Sequence, residues 1–149
     1  MDRTNLTKYQ VKLIAIFAEN KIGELARVSG VLAENQLNIR WVTIASSNGF
    51  GVVKLLVNDP MKAFEVLQKK SIPVTIVNVV AVEVEDKPGG LYAIAKCLAD
   101  NKVNVHNASG YVAKNRAILL VEVSDFNSAV SHLQNSGFKV LSESEALQV

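Results

Sequence analysis

Apolar and polar positions along the chain alternate between two regimes. Val11 to Ala18 is a nearly unbroken apolar run, long enough for a buried strand. From Gly23 to about Asn35 the spacing turns helical, with Leu25, Val28 and Leu32 on one face and Glu24, Arg27 and Glu34 elsewhere. Asn38 to Ala45, rich in Ile, Val, Trp and Thr, predicts a strand. Asn48-Gly49 predicts a tight hairpin, because a type I′ turn needs positive φ at both central residues. Phe50 to Val57 then returns as a strand. Asp59-Pro60 starts a second helix: Asp accepts from free backbone donors, Pro is preset for the first turn, and Phe64 and Leu67 form the buried face. Ser71 to Val84 is β-rich and too long for one ordinary strand, so one strand is expected to run almost directly into the next.

The same order then recurs. A strand over Val77 to Val84 precedes a helix from Gly89 to Asn101, with Leu91, Ile94 and Leu98 inward. Strands over Val103 to Val112 and Ala117 to Val123 follow. Asp125 caps a helix through Val130 and Leu133, Gly137 ends it, and Phe138 to Leu141 closes the set. Met1 to Gln10 reads as a fraying polar start and Ser142 to Val149 as a polar tail.

The recurrence extends to residue identity. Asn20-Lys21-Ile22-Gly23-Glu24-Leu25 returns as Asp86-Lys87-Pro88-Gly89-Gly90-Leu91, an offset of 66 residues that holds without a gap. Leu32-Ala33 meets Leu98-Ala99, Asn35 meets Asn101, Asn38 meets Asn104, Asp59 meets Asp125, and Leu67-Gln68 meets Leu133-Gln134. A unit of this length is a small domain present twice. Each copy reads strand-helix-strand-strand-helix-strand, which predicts an α+β fold of two ferredoxin-like units, each a four-stranded antiparallel sheet with two helices on one face. The expected domains are 10–76 and 77–143.

Composition narrows the functional classes. Of 149 residues 49% are hydrophobic, so the chain is globular. A net charge of +2, with charges interspersed, gives no electrostatic case for nucleic acid or an anionic membrane. No stretch is long and apolar enough to span a bilayer, and no apolar segment of a signal peptide precedes Val11. The single Cys97 rules out an internal disulfide framework and fits a cytoplasmic location.

Catalysis finds little support. His106 and His132 fall where the first copy has Arg40 and Val66, Cys97 lies mid-helix, and no Cys/His spacing suits a metal. RNA-recognition motifs share the strand order, but the Gly-aromatic run at Gly49-Phe50-Gly51 breaks at Val52, and Arg116-Ala117-Ile118 has no aromatic. The chain therefore reads as a non-enzyme with no cofactor. The main candidate site is the loop between first strand and first helix of each copy. Helix N-termini carry unpartnered N–H groups and the positive end of the dipole, and Gly23 and Gly89 let a carboxylate approach them. Asn20 and Asp86 stand ready for an ammonium group. The competing reading is a tight turn and cap with no ligand. Asn38 and Asn104, entering the second strand of each copy, are turn residues in one reading and ligand-orienting amides in the other.

Asp86-Lys87-Pro88-Gly89-Gly90-Leu91, followed by Leu98-Ala99-Asp100-Asn101-Lys102-Val103-Asn104-Val105, resembles an ACT domain, and Asn20 to Leu25 with Leu32 to Ile39 resembles a second. The resemblance implies a stand-alone tandem ACT protein that binds a free amino acid and regulates metabolism. It implies a ligand held between paired domains, against the first loop of one and the edge of its partner. Carried over residue by residue, it points to Asn20, Ile22, Gly23, Glu24, Leu25 and Asn38, and to Asp86, Pro88, Gly89, Gly90, Leu91 and Asn104. It also implies a homodimer, with a separate metabolic enzyme as a further partner. Ile22 stands where the family has Pro, and Glu24 puts a negative charge where a carboxylate would bind, so the first copy departs from the pattern. The alternative is the regulatory subunit of an amino-acid biosynthetic enzyme such as acetolactate synthase, whose opening is similar.

Overall fold

The computed structural model describes residues 6–113 and 116–148. The described residues divide into two compact units, 12–77 on the one hand and 78–148 together with the leading segment 6–11 on the other. The first unit holds β1 (Val11–Glu19), α1 (Glu24–Glu34), β2 (Ile39–Ser47), β3 (Phe50–Val57) and α2 (Pro60–Lys69). β4 (Val74–Val84) is one strand whose first residues finish this unit and whose remainder opens the second. The second unit continues with α3 (Gly90–Asp100), β5 (Val105–Ala113), β6 (Arg116–Val123), α4 (Phe126–Asn135), β7 (Val140–Leu141) and α5 (Glu143–Gln148). The long β-rich segment therefore does carry one strand into the next, as its length requires.

Within the first unit the strand order is β2-β3-β1-β4, and within the second β5-β6-β4-β7; β3 runs antiparallel to both β1 and β2, β6 to both β4 and β5, and β7 to β4. Both are ferredoxin-like. The cores match position by position at the repeat offset. Ile14, Ile16, Val28, Leu32, Val53, Leu55 and Leu67 pack together in the first unit. Val80, Val82, Ile94, Leu98, Leu119, Val121 and Leu133 do so in the second. The repeated amides at the helix ends have a structural role, since Asn35 Nδ2 donates to Val31 O and Asn101 Nδ2 to Cys97 O, each at 2.8 Å. Asn48 and Gly49 take φ of 51° and 84°, the hairpin geometry expected of that pair. Asp59 and Asp125 accept from the backbone N–H groups of Lys62 and Ser128.

Three expectations are corrected. The leading segment does not fray from residue 6 onward; Met1 to Asn5 lie outside the described residues. Thr7–Tyr9 forms a 3₁₀ turn, and Leu6 is buried in the second unit's core with Tyr9 packed beside it. A single leucine among polar residues gave too weak a periodicity to register. The closing segment is not a tail. Ser142 Oγ accepts from Glu145 N and Glu145 Oε2 from Ser142 N, a reciprocal cap that starts α5 and helps bury Ala146. The signal was the Ser-x-x-Glu spacing. Finally, Leu25 and Leu91, each in the first turn of its helix, are exposed rather than inward, at 44% and 58%.

Candidate functional site

The two loops share one backbone. Gly23 and Gly89 each cap a helix with φ near 90° (92° and 90°), and neither helix has a side-chain cap. Lys21 N donates to Glu19 O at 3.0 Å and Lys87 N to Glu85 O at 2.9 Å. Arg27 N reaches Gly23 O at 2.9 Å and Ala93 N reaches Gly89 O at 3.0 Å. Replacing Pro88 by Ile22 leaves this geometry intact, because the turn is set by the glycine. A Cβ at Gly23 or Gly89 would meet nothing within 4 Å, so both glycines are required by backbone conformation alone.

Side chains divide the loops. In the first copy the Arg27 guanidinium forks onto the Glu24 carboxylate, Nη2 to Oε2 at 3.0 Å and Nε to Oε1 at 3.2 Å. That hydrogen bonding holds the Glu24 carboxyl below the usual carboxylate range, with Lys21 adding to the effect, and raises Arg27. The second copy has Gly90 and Ala93 at these positions, so its loop carries no such ion pair. Gly90 is buried, and a Cβ there would lie 2.1 Å from Glu85 O. Lys87 pairs with Glu85 as Lys21 does with Glu19, but in the second copy Glu83, where the first has Phe17, is bonded by Arg116 Nε with Lys139 Nζ at 4.0 Å.

A cleft of about 460 Å³ opens beside the second loop, lined by Glu83, Lys87, Gly89, Gly90, Ala93 and Lys139 among others. The matching cleft in the first unit, about 510 Å³, is lined by Phe17, Lys21, Glu24, Arg27, Phe50 and Pro73 among others. A smaller hollow of about 100 Å³ on the strand side of the first loop brings Asn20, Glu24 and Leu25 together with Ile44 and Val53.

The structure gathers some of the expected residues and separates others. Asn20 and Asp86 are exposed beside their loops, as is Pro88, and Ile22 projects fully into solvent. Asn38 and Asn104 sit at the far ends of their units. Asn38 N donates to Asn58 Oδ1 and Asn104 N to Ser124 Oγ, both at 3.0 Å. β2 and β5, each nine residues, lie between these asparagines and the hairpin end where the loops are, roughly 30 Å away. Sequence reasoning passed over Lys21 and Lys87, although their recurrence at the repeat offset was a usable signal. Lys139 has no counterpart in the first copy, where Pro73 stands, and no pattern announced it. Among the described residues no group of three or more His, Cys, Asp or Glu could hold a metal ion, and no helix is long and apolar enough to cross a membrane.

The Glu24 fork has a checkable consequence. A depressed carboxyl contributes stability that is complete above the unfolded carboxylate's pKa and is lost as pH falls through the lower folded value. An NMR titration should therefore find Glu24 below the ordinary carboxylate range, and Arg27→Met should return it there. An unchanged midpoint in that variant would mean another group is responsible.

The family described as an ACT domain pair matches residues 9–146. No curated protein matches the chain in sequence. Among solved structures, protein BT0572 of Bacteroides thetaiotaomicron superposes with a TM-score of 0.89 at 27% identity, covering 95% of this chain and 98% of its own. The regulatory subunit of aspartate kinase from Thermus thermophilus superposes at 0.60 with 13% identity, covering 87% and 93%. A structure of aspartokinase α and β subunits gives 0.59 with 16% identity, over 87% and 93%.

Proposed function

The chain belongs to the ACT domain pair family, and from that membership we propose that it is a non-catalytic regulatory protein that binds a free amino acid at its strand-to-helix loops. The observation that carries the reading is the second loop. Gly89 presents an uncapped helix N-terminus for an α-carboxylate, and Asp86 stands beside it for an ammonium group. The first loop offers the same backbone, with Asn20, Ile22, Gly23, Glu24 and Leu25, but Glu24 sets a carboxylate of its own there.

Asn38 and Asn104 stand too far from the loops of their own units to share a ligand with them. Antiparallel pairing of an edge strand with another ACT unit would bring such an asparagine to the loop end of its neighbour. That agrees with a ligand held between paired units and with a dimer of chains acting in the cytoplasm.

Asp86→Ala leaves the turn glycine untouched and removes one short acceptor. Losing a hydrogen bond to a charged group costs about 1.5–3 kcal/mol, more than tenfold in affinity. Calorimetry with the amino acid selected in a thermal-shift screen should show that loss, and a smaller one for Asn20→Ala. Full affinity in both variants, with folding intact, would remove the loops from the site. The second reading is a dedicated subunit of a separate biosynthetic enzyme. It rests on the resemblance of the opening loop and requires a catalytic partner in stoichiometric amount on native co-purification.

A further inference from the structure

We propose that Asn48 is a site of spontaneous modification: its side-chain amide is lost as ammonia on attack by the Gly49 nitrogen, and the product loosens the start of the first strand-to-helix loop. The chemistry belongs to the hairpin itself and stands whether or not the loops hold an amino acid.

Sequence, exposure and hydrogen bonding agree on this position. Asn48-Gly49 is the one place in the sequence where glycine follows asparagine; every other asparagine precedes a residue whose side chain crowds the attacking nitrogen. Both residues are exposed, and a Cβ built at Gly49 would meet nothing within 4 Å, so the turn has room to rearrange. The ladder between β2 and β3 closes at Ser47 and Phe50, which leaves the Gly49 N–H outside it. Among the described residues no group accepts from that N–H, and no hydrogen bond holds the Asn48 carboxamide. Other asparagines are tied down. Asn35 and Asn101 donate Nδ2–H to helix carbonyls, and Asn58 Oδ1 accepts from Asn38 N.

The Gly49 nitrogen gives its proton to solvent and bonds to Asn48 Cγ, closing a succinimide ring; the Cγ–Nδ2 bond breaks and ammonia leaves. Water then opens the ring. Cleavage at Cγ leaves aspartate. Cleavage at the main-chain carbonyl leaves isoaspartate, with the chain now running through Cβ and Cγ. Either route consumes water, releases ammonia and adds one carboxylate, which takes the formal net charge from +2 to +1. Isoaspartate also puts an extra main-chain carbon into a turn whose length sets the register of Ser47 with Phe50. Gly49 O accepts from Asn20 N at 2.7 Å, and Phe50 pairs with Glu19, so the lengthened turn displaces the partners of the residues at which the first loop begins. The second copy has Lys114-Asn115-Arg116 at the matching positions, so the change is confined to the first.

The full chain, aged in mildly alkaline buffer and then mapped by tryptic mass spectrometry, provides the test; alkali favours the reaction because the attacking nitrogen must lose its proton. The peptide Trp41–Lys54, in which Asn48 is the only side-chain amide, should gain one mass unit and split into two isobaric products. It should do so ahead of Val103–Lys114, which carries Asn104 and Asn107. Ammonia should appear in equal amount. Asn48→Gly keeps a turn-forming pair and should abolish the gain. By NMR, hydrogen exchange at the Asn20 amide should be faster in aged wild type and unchanged in aged Asn48→Gly. A folded chain whose Trp41–Lys54 keeps its mass, while the urea-unfolded chain gains it, would show that the hairpin shields Asn48 and would overturn the proposal. Equal ammonia release by Asn48→Gly would place the reaction elsewhere and do the same. So would isoaspartate at position 48 with Asn20 exchange unchanged.

Discussion

A Gly90→Ala chain should be less stable than the parent by about 3 kcal/mol, the upper part of the range for forced overpacking. The added Cβ would lie 2.1 Å from the Glu85 carbonyl oxygen and 3.2 Å from its carbon. Backbone cannot swing aside as a side-chain tip can, so the loop must open or the helix start must shift. Gly89→Ala is the informative comparison. Its site is spacious but has φ of 90°, so it should cost only the roughly 1–2 kcal/mol of a left-handed residue with a side chain. Urea unfolding of the two variants tests the order. If Gly89→Ala proves the more damaging, contact with Glu85 is not what keeps position 90 small. The first copy tolerates Glu24 at this position, and there the Glu24 N to Lys21 O bond is long at 3.4 Å, against 3.1 Å for Gly90 N to Lys87 O.

Leu6→Ala should cost about 2–4 kcal/mol, a typical large-to-small loss in a packed core. Leu6 is 7% exposed among Val80, Val82, Ile94 and Leu98. The loss should be confined to the second unit. Hydrogen exchange should show faster opening for amides of β4, β6 and α3, with protection in β1 and β3 unchanged. Equal loosening of both units, or none, would contradict the packing.

Most of the fold was legible because local signals agreed with one another. The Asn-Gly hairpin of the first copy, and in both copies the Asp caps and the helical spacing of Val28 with Leu32 and of Ile94 with Leu98, agree on the same order of elements. What escaped notice lacked periodicity. Leu6 is one apolar residue whose partners lie more than seventy positions away, and α5 is six residues started by a capping box. Leu25 and Leu91 show the opposite failure: they keep the helical phase of the core but are exposed in the first turn, and periodicity cannot say where burial ends. The place of the strand-to-helix turns was legible because Gly23 and Gly89 each stand between an apolar run and a helical spacing. Their difference in charge could be read from Glu24 against Gly90. The separation of Asn38 and Asn104 from those loops could not, since it depends on strand direction.

The leading segment also sets an order of assembly. Residues 12–77 are contiguous, so that unit can fold as soon as its last strand segment is made. The other must wait for the final residues and also recapture Leu6, the first described residue of the chain. Closing so long a loop adds little to the equilibrium cost, which grows only with the logarithm of length, but it slows folding through distant contacts. Synthesis therefore produces one finished unit and one that is completed by a residue made before either. A change at Leu6 will be felt in the copy that lies farther from it in sequence.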